Sequence, residues 1–303
     1  MIHPEKRHFI IVAKTLGIQV LLFVGILFTV WGSQKLYTLI DPVKFPVHQA
    51  EIKDNMTEQE KGAALLSALT NRMNAELSST FGWTANDILF NRWIMDNRAY
   101  RQFGYVATKM LFDHYSTVIA KLGNNDREND LLYNARLNYF AISPQRWGML
   151  FIPSAEGSFK KALSMTEQYK KDLLAGKAVY NCRTDDIYSA FNLILGETVF
   201  GYALGLLNDS QDLPFYTLDN RIYEAQGVIL VVRDYLKALY ELYPEIGNKN
   251  NEQNMAEAMR YMDLICNYDP MYITSSFNSG ELIISYLLFA RNRLTDIRDS
   301  LRI

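Results

Sequence analysis

Apolar residues are concentrated first in one uninterrupted stretch near the N-terminus. Residues 15–32 contain no charged side chain. A run of about 18 apolar residues is long enough to cross the hydrocarbon core of a bilayer as a helix. The stretch therefore predicts a transmembrane helix over residues 15–32 that follows a short tail, residues 1–14, and makes the lipid bilayer a partner. The sequence at its end, Thr29-Val-Trp-Gly-Ser-Gln34, has no small-x-small cleavage site, so we expect a retained anchor rather than a signal peptide.

Beyond residue 54 the apolar positions recur at helical spacing. Three amphipathic stripes illustrate this pattern: Ala107, Leu111, Tyr115, Val118 and Leu122; Ile229, Val232, Leu236, Leu239 and Tyr243; and Ile284, Leu287, Leu288, Leu294, Ile297 and Leu301. Breaks that contain glycine and proline separate the stripes. The sequence lacks the sustained alternation of apolar and polar residues that is typical of β-strands. The pattern predicts an all-α fold, in which one N-terminal transmembrane helix is followed by a multi-helix soluble domain.

The segment between these regions, residues 33–54, contains Asp41-Pro42 and Phe45-Pro46 and predicts a juxtamembrane linker. The soluble domain then opens with Thr57-Glu-Gln-Glu60, a capping box. We expect its first helix to run to about Ser78.

Two segments of the soluble domain resemble each other. Residues 96–104 match residues 219–227 at five of nine positions, and Ser154-Ala-Glu156 has a counterpart in Ser279-Gly-Glu281 at nearly the same distance downstream. Such spacing favours an internal repeat. We predict two duplicated helical halves, residues 55–178 and residues 179–303.

Charge bears on partners and orientation. The net charge is −2, which argues against a nucleic-acid partner because binding to phosphates needs a basic face. Lys6, Arg7 and Lys14 precede the span. By the positive-inside rule we expect the N-terminus in the cytoplasm and the soluble domain outside it, which is the periplasm if the source is a Gram-negative bacterium.

Cysteine and histidine content limits the chemistry. Cys182 and Cys266 are compatible either with one disulfide or with two buried free thiols, and the sequence leaves both alternatives open. No cysteine or histidine pair has the spacing of a zinc site. We therefore expect no metal and no cofactor.

The repeated Asp-Asn-Arg triplets supply candidate binding residues, namely Asp96, Arg98, Asp219 and Arg221. In the structural interpretation each aspartate accepts backbone hydrogen bonds at a helix start, and each arginine pairs with an acid of a neighbouring helix. In the functional interpretation the two arginines face one cleft and bind a phosphate or carboxylate. The structural interpretation is favoured because helix caps recruit these residue types routinely.

Glu156 and Glu281 are the weak catalytic candidates. Each follows a serine that is suited to cap a helix, which is the structural interpretation. The alternative is a pair of acids in one site, as glycoside hydrolysis requires. Nucleophile and phosphate-binding motifs are missing. Trp83 and Trp147 are candidates to line a groove for a glycan or lipid, although packing at helix junctions is the more common use of such rings.

Several of these strings together resemble a known family. Thr80-Phe-Gly-Trp-Thr-Ala-Asn-Asp-Ile-Leu-Phe90, Asp96–Gly104, Phe151-Ile-Pro-Ser-Ala-Glu156 and Arg183-Thr-Asp-Asp186 are similar to DUF2333, a bacterial domain of unknown function. The resemblance implies a Gram-negative inner-membrane protein with no assigned activity, and it transfers no catalytic residue.

Two functions from different classes follow from these features. The leading hypothesis is an anchored periplasmic protein that binds or scaffolds other components of the cell envelope, and the balance leans away from an enzyme. The opposing hypothesis is an anchored hydrolase of glycan, peptide or lipid that uses the paired glutamates. Self-association through Gln19, Gly25 and Thr29 of the span, giving a homo-oligomer, is compatible with either.

Overall fold

The computed structural model describes residues 4–40, 50–87, 95–123, 126–148, 152–208, 213–247, 251–270, 273 and 280–302. Helices account for most of these residues, and no β-strand occurs among them. The prediction of an all-α fold is confirmed.

The first helix, α1, spans Pro4–Ile40. Within it, residues 11–30 are long and apolar enough to cross a membrane, and none of that window is buried. The hydroxyl groups of Thr15 and Thr29 donate to the carbonyls of Ile11 and Gly25, so these polar groups are satisfied within the helix itself. Such internal satisfaction is what a lipid environment demands.

The helix extends beyond the predicted linker boundary. Residues 33–40 are helical, so the expectation of an irregular linker from residue 33 is wrong. The reason is local, since the first proline after the span is Pro42, and proline disfavours helical geometry at the residue before it. Residues 41–49 lie outside the described residues, and the chain at residues 50–56 is not helical.

The capping box at the domain entrance is confirmed. Helix α2 spans Glu58–Ser78, the Thr57 hydroxyl accepts from the Glu60 amide, and the Glu60 carboxylate accepts from the Thr57 amide. This reciprocal pair satisfies backbone donors that a helix start leaves open.

The remaining helices follow in chain order with short connections. They are α3 (Asp96–Gly104), α4 (Val106–His114, continued by a π-helical turn to Ile119), α5 (Asp130–Asn134, continued likewise to Phe140), α6 (Ala155–Leu174), α7 (Thr184–Leu195), α8 (Phe200–Leu207), α9 (Phe215–Leu242), α10 (Asn251–Cys266) and α11 (Glu281–Ser300). Short 3-10 turns occur at Thr84–Asn86 and Pro244–Gly247.

Helix α9 is the centre of the core. Its predicted apolar stripe, from Ile229 to Tyr243, is buried throughout, and the helix packs against α2, α3, α8 and α10. The other two stripes fail at one residue each. Leu122 is 66% exposed because α4 and its π-helical turn end at Ile119, and Leu288 is 44% exposed on the outer side of α11.

Elements of the two predicted halves pack in corresponding ways. The repeated segments lie on α3 and α9, which pack against each other. Helix α6 packs on α5 and α2, and α11 packs on α10 and α7. Helices α6 and α11, which begin at the second pair of matching segments, are both 20 residues long. This correspondence supports the duplication, which remains a prediction.

Candidate functional site

Arg98 lies in the first turn of α3 and is fully buried. Its guanidinium donates to the Glu76 carboxylate of α2, with Nε 2.7 Å and Nη2 2.5 Å from Oε2, and to the Ser79 hydroxyl. A side chain with no exposed surface cannot meet a ligand from solution in this conformation. The contacts match the structural interpretation, in which the arginine pairs with an acid of a neighbouring helix.

The Glu76 carboxylate is the centre of a larger buried network. The Tyr105 hydroxyl donates to Oε1 at 2.8 Å, and the Gln102 amide donates to Oε2 at 2.9 Å. Gln102 also accepts from the Ala85 amide and the Thr84 hydroxyl, which links the 3-10 turn to α3. Burial, and then the nearby Glu76 charge, raise the pKa of Tyr105 well above its usual value, so the tyrosine stays a neutral donor.

A second charge cluster connects α2, α9 and α10. The Arg72 guanidinium lies 2.6 Å from the Asp234 carboxylate, and both side chains are buried. Arg233 lies 3.0 Å from the Asp263 carboxylate, whose side chain is 54% exposed. Sequence reasoning predicted that Arg98 pairs with an acid of a neighbouring helix, but it missed the rest of the first cluster and all of the second. Their signal is a charged residue inside an otherwise apolar helical face, such as Arg72 between Leu69 and Met73. Ion pairs of this kind hold helices in register when every partner is satisfied.

The two Asp-Asn-Arg triplets differ in their positions on helices. Asp96 is the first residue of α3, as predicted. Asp219 is the fifth residue of α9, which begins at Phe215 after Pro214, so the prediction that Asp219 starts a helix is wrong. Proline fixes φ near the helical value and so sets the start earlier. Burial raises the pKa of Asp219, and Arg221 Nη1 lies 3.5 Å from the Leu206 carbonyl.

Glu156 and Glu281 lie in the first turns of two different helices, α6 and α11. Ser154 caps α6 as predicted, because its hydroxyl accepts from the Gly157 amide at 3.0 Å. Glu156 pairs with Lys160 at 2.5 Å. At α11 the capping position belongs to Gly280, with φ 85°, and not to Ser279, which lies outside the described residues. A left-handed φ suits glycine, so glycine takes that position.

The two candidate tryptophans have opposite environments. Trp83 is 1% exposed, donates to the Pro144 carbonyl at 2.9 Å and packs edge-on against Phe159, with ring centroids 4.9 Å apart. It is one wall of a mainly apolar cavity of about 220 Å³ in which Lys109 is the one charged lining residue. Trp147 is 49% exposed. Trp83 therefore packs at a helix junction, and Trp147 is available at the surface.

Three surface cavities show which side chains share a concave space. They lie beside Trp83, between α2 and α6, and between α9 and α10. The acids Glu156 and Glu281 and the arginines Arg98 and Arg221 line none of these three. The structure therefore does not bring the four candidate side chains together in any of these cavities, and their catalytic and binding roles remain predictions.

Both cysteines are free thiols, so of the two alternatives left open above the structure has the unbonded one. Cys266 is buried and Cys182 is partly buried, and burial raises the pKa of each thiol to about 12. Within the described part of the chain, no group of three or more histidine, cysteine, aspartate and glutamate side chains is arranged to hold a metal ion.

A model for uncharacterised proteins conserved in bacteria, DUF2333, matches residues 5–196 of the 303. The chain belongs to the DUF2333 family. The match begins in α1 and ends just after α7, so it includes the candidate span, the buried Arg98–Glu76 pair and Glu156. No curated protein and no solved structure matches the chain. Family membership therefore confirms the resemblance in the sequence and adds no activity.

Proposed function

We propose that this DUF2333 protein is a single-pass inner-membrane protein whose helical domain lies in the periplasm and binds or scaffolds other envelope components. The observation that carries the proposal is that no residue of the apolar window Ile11–Val30 on α1 is buried. Twenty residues of this composition span a bilayer, and in water they would form an unusually large apolar surface.

A second helical segment, Thr184–Leu207, is also long and apolar enough for a span, but its environment differs. About 44% of that window is buried, and the chain is not α-helical between Leu195 and Phe200. Ile187, Phe191 and Ile194 of α7 belong to the core of the domain. We assign this segment to the soluble domain and only α1 to the membrane.

The proposed orientation rests on the charges that flank the span. Lys6, Arg7 and Lys14 lie on the N-terminal side. The positive charges on the other side, Lys35, Lys44 and Lys53, are more widely spaced and are balanced by Asp41 and Glu51. Positive charge near the start of a span favours retention in the cytoplasm, which places the domain on the periplasmic side.

A binding or scaffolding role suits the interior of the domain better than hydrolysis does. Buried charged side chains pair across helices in Arg98–Glu76 and Arg72–Asp234. Hydrolysis by paired acids needs two carboxylates on either side of a substrate. Glu156 instead pairs with Lys160 on its own helix.

Reporter fusions test the orientation and the single span together. Alkaline phosphatase and green fluorescent protein are each fused after residue 303 of the full chain. Alkaline phosphatase is active only in the periplasm, whereas green fluorescent protein fluoresces in the cytoplasm and stays dark when it is exported unfolded. We expect phosphatase activity without fluorescence. A matched fusion from which residues 4–40 have been deleted should reverse the result. Fluorescence from the full-length fusion would contradict the periplasmic assignment.

A further inference from the structure

An exposed apolar strip lies along the hairpin of α10 and α11. Leu264, Leu282 and Phe289 are 41%, 50% and 49% exposed, and Tyr261 and Tyr286 lie partly buried between them. The Tyr261 ring stacks on Phe289, with centroids 5.1 Å apart, and lies 6.0 Å from Tyr286. We call these five residues the aromatic strip.

The corresponding face of α6 provides an internal comparison. Aligning Ser154-Ala-Glu156 with Ser279-Gly-Glu281 pairs three positions that are buried in both helices, Ser158 with Ile283, Ala162 with Leu287, and Tyr169 with Leu294. The match is partial, because the buried Leu163 falls opposite Leu288, which is 44% exposed. The same alignment places Gly157, Lys161 and Ser164 opposite Leu282, Tyr286 and Phe289. At these three positions the side chains are therefore polar or small on α6 and large and apolar or aromatic on α11.

Charges of both signs lie around the aromatic strip. Arg293 pairs with Glu257 across the hairpin at 2.6 Å and approaches Asp296 at 3.7 Å. The Arg260 guanidinium lies over the Tyr261 ring, 4.9 Å from its centroid. A basic rim would favour an anionic lipid surface, whereas a rim of both signs is complementary in charge to a second copy of itself.

We propose that the aromatic strip is the interface through which two copies of this chain associate. A two-fold dimer places the same patch on both subunits and therefore needs a self-complementary surface. Tyrosine, phenylalanine and arginine are enriched in the cores of such interfaces. The inference rests on the proposed function because an anchor confines the copies to one membrane plane, where a modest interface suffices.

Sedimentation equilibrium of the detergent-solubilised full chain tests the interface. The variants are Phe289→Asp on the strip and Ser164→Asp at the equivalent exposed position of α6. We expect the wild type to form a dimer. The dissociation constant of Phe289→Asp should be at least about tenfold higher, because a central interface contact is lost. The dissociation constant of Ser164→Asp should equal that of the wild type. Leu282→Lys is a second strip variant in case Phe289→Asp lowers the melting temperature.

Three results would overturn the proposal. The first is a wild type that stays monomeric at a protein concentration of tens of micromolar. The second is a Phe289→Asp variant that folds and associates as tightly as wild type. The third is a dimer that Gly25→Leu on α1 abolishes but both strip variants retain. The first result leaves the strip for lipid or another protein, and the third assigns association to the span. Before solubilisation, membranes that contain each variant are washed with alkali, and retention of the protein shows separately whether α1 anchors it.

Discussion

Gly104 and Gly227 meet where α3 crosses α9. A Cβ atom on Gly104 would lie 2.1 Å from the Glu224 carbonyl oxygen, and a Cβ atom on Gly227 would lie 2.0 Å from the Arg101 carbonyl oxygen. Each glycine thus faces the backbone three residues before the other. The contact is reciprocal between the two copies of the repeated segment, as expected if duplicated units pack about an approximate two-fold axis.

Gly104→Ala should destabilise the domain because the added methyl group meets backbone atoms, which cannot move aside without separating the helices. We expect a loss of about 1–3 kcal/mol, typical of overpacking a tight contact. Gly227→Ala should behave alike. Thermal melting of the detergent-solubilised full chain measures the effect as a fall of several degrees.

The matched control for these variants is Gly205→Ala. Gly205 is an exposed helical glycine on α8 with no atom within 4 Å of an added Cβ. Alanine favours helix by up to about 1 kcal/mol over glycine, so this variant should melt at the same temperature or higher. Equal melting temperatures for all three variants would contradict the close crossing.

Arg98→Gln should destabilise the chain strongly because it leaves the buried Glu76 carboxylate without its cation. Loss of one partner of a buried pair costs about 3–5 kcal/mol. The control is Arg127→Gln, which breaks an exposed pair with Asp130 in which the arginine side chain is 85% exposed; such pairs contribute at most about 1 kcal/mol. If Arg98→Gln melts like wild type, the arginine is not held for stability and the anion-binding interpretation returns.

The His114 side chain should make stability depend on pH. Its Nε2 lies 3.1 Å from the Ser189 hydroxyl, and burial lowers its pKa below 6.5, against smaller opposite effects of Asp186 and Asp113. The unfolded chain therefore binds a proton that the folded chain does not, once the pH falls below about 6.5. Stability should fall as the pH decreases through that value and level off below the folded pKa.

His114→Gln removes this contribution. Melting temperatures of wild type and variant are compared at about pH 7.5 and about pH 5.5, on either side of the usual histidine pKa. The fall in melting temperature between the two pH values should be smaller in the variant. An identical fall in both proteins would show that His114 does not titrate differently on folding.

The two thiols should be unreactive in the folded protein. Burial raises the pKa of both Cys182 and Cys266 to about 12, so the thiolate is scarce near neutral pH. A maleimide reagent should label neither cysteine in the folded chain and both after denaturation without a reductant. A denatured chain that needs a reductant for labelling would contain the disulfide instead.

Much of the fold is predictable from local pattern. The capping box at Thr57, the Ser154 cap and the stripe on α9 each depend on residues close in sequence, and all three agree with the structure. Helix α1 was predicted with its end too early, because polar residues after a span resemble a linker even when no proline interrupts the helix before Pro42.

The buried ion pairs were not predictable in the same way. Arg72 and Asp234 are separated by 162 residues, and only the packing of α2 on α9 brings them together. The start of α9 was misplaced at Asp219 because the aspartate is a typical cap, whereas Pro214 sets the actual boundary. Side-chain partners of distant origin depend on tertiary packing, which one sequence does not reveal.

Membrane extraction tests directly whether α1 anchors this chain in a membrane. Membranes that contain the full chain are washed with alkaline carbonate and then with detergent, and the mass of the recovered protein is measured. We expect the chain to stay in the membrane through the carbonate wash and to dissolve in detergent with the mass of a chain that still includes α1. A variant without residues 4–40 should not enter the membrane fraction. Release by carbonate, or a mass showing cleavage after residue 30, would contradict anchoring by α1.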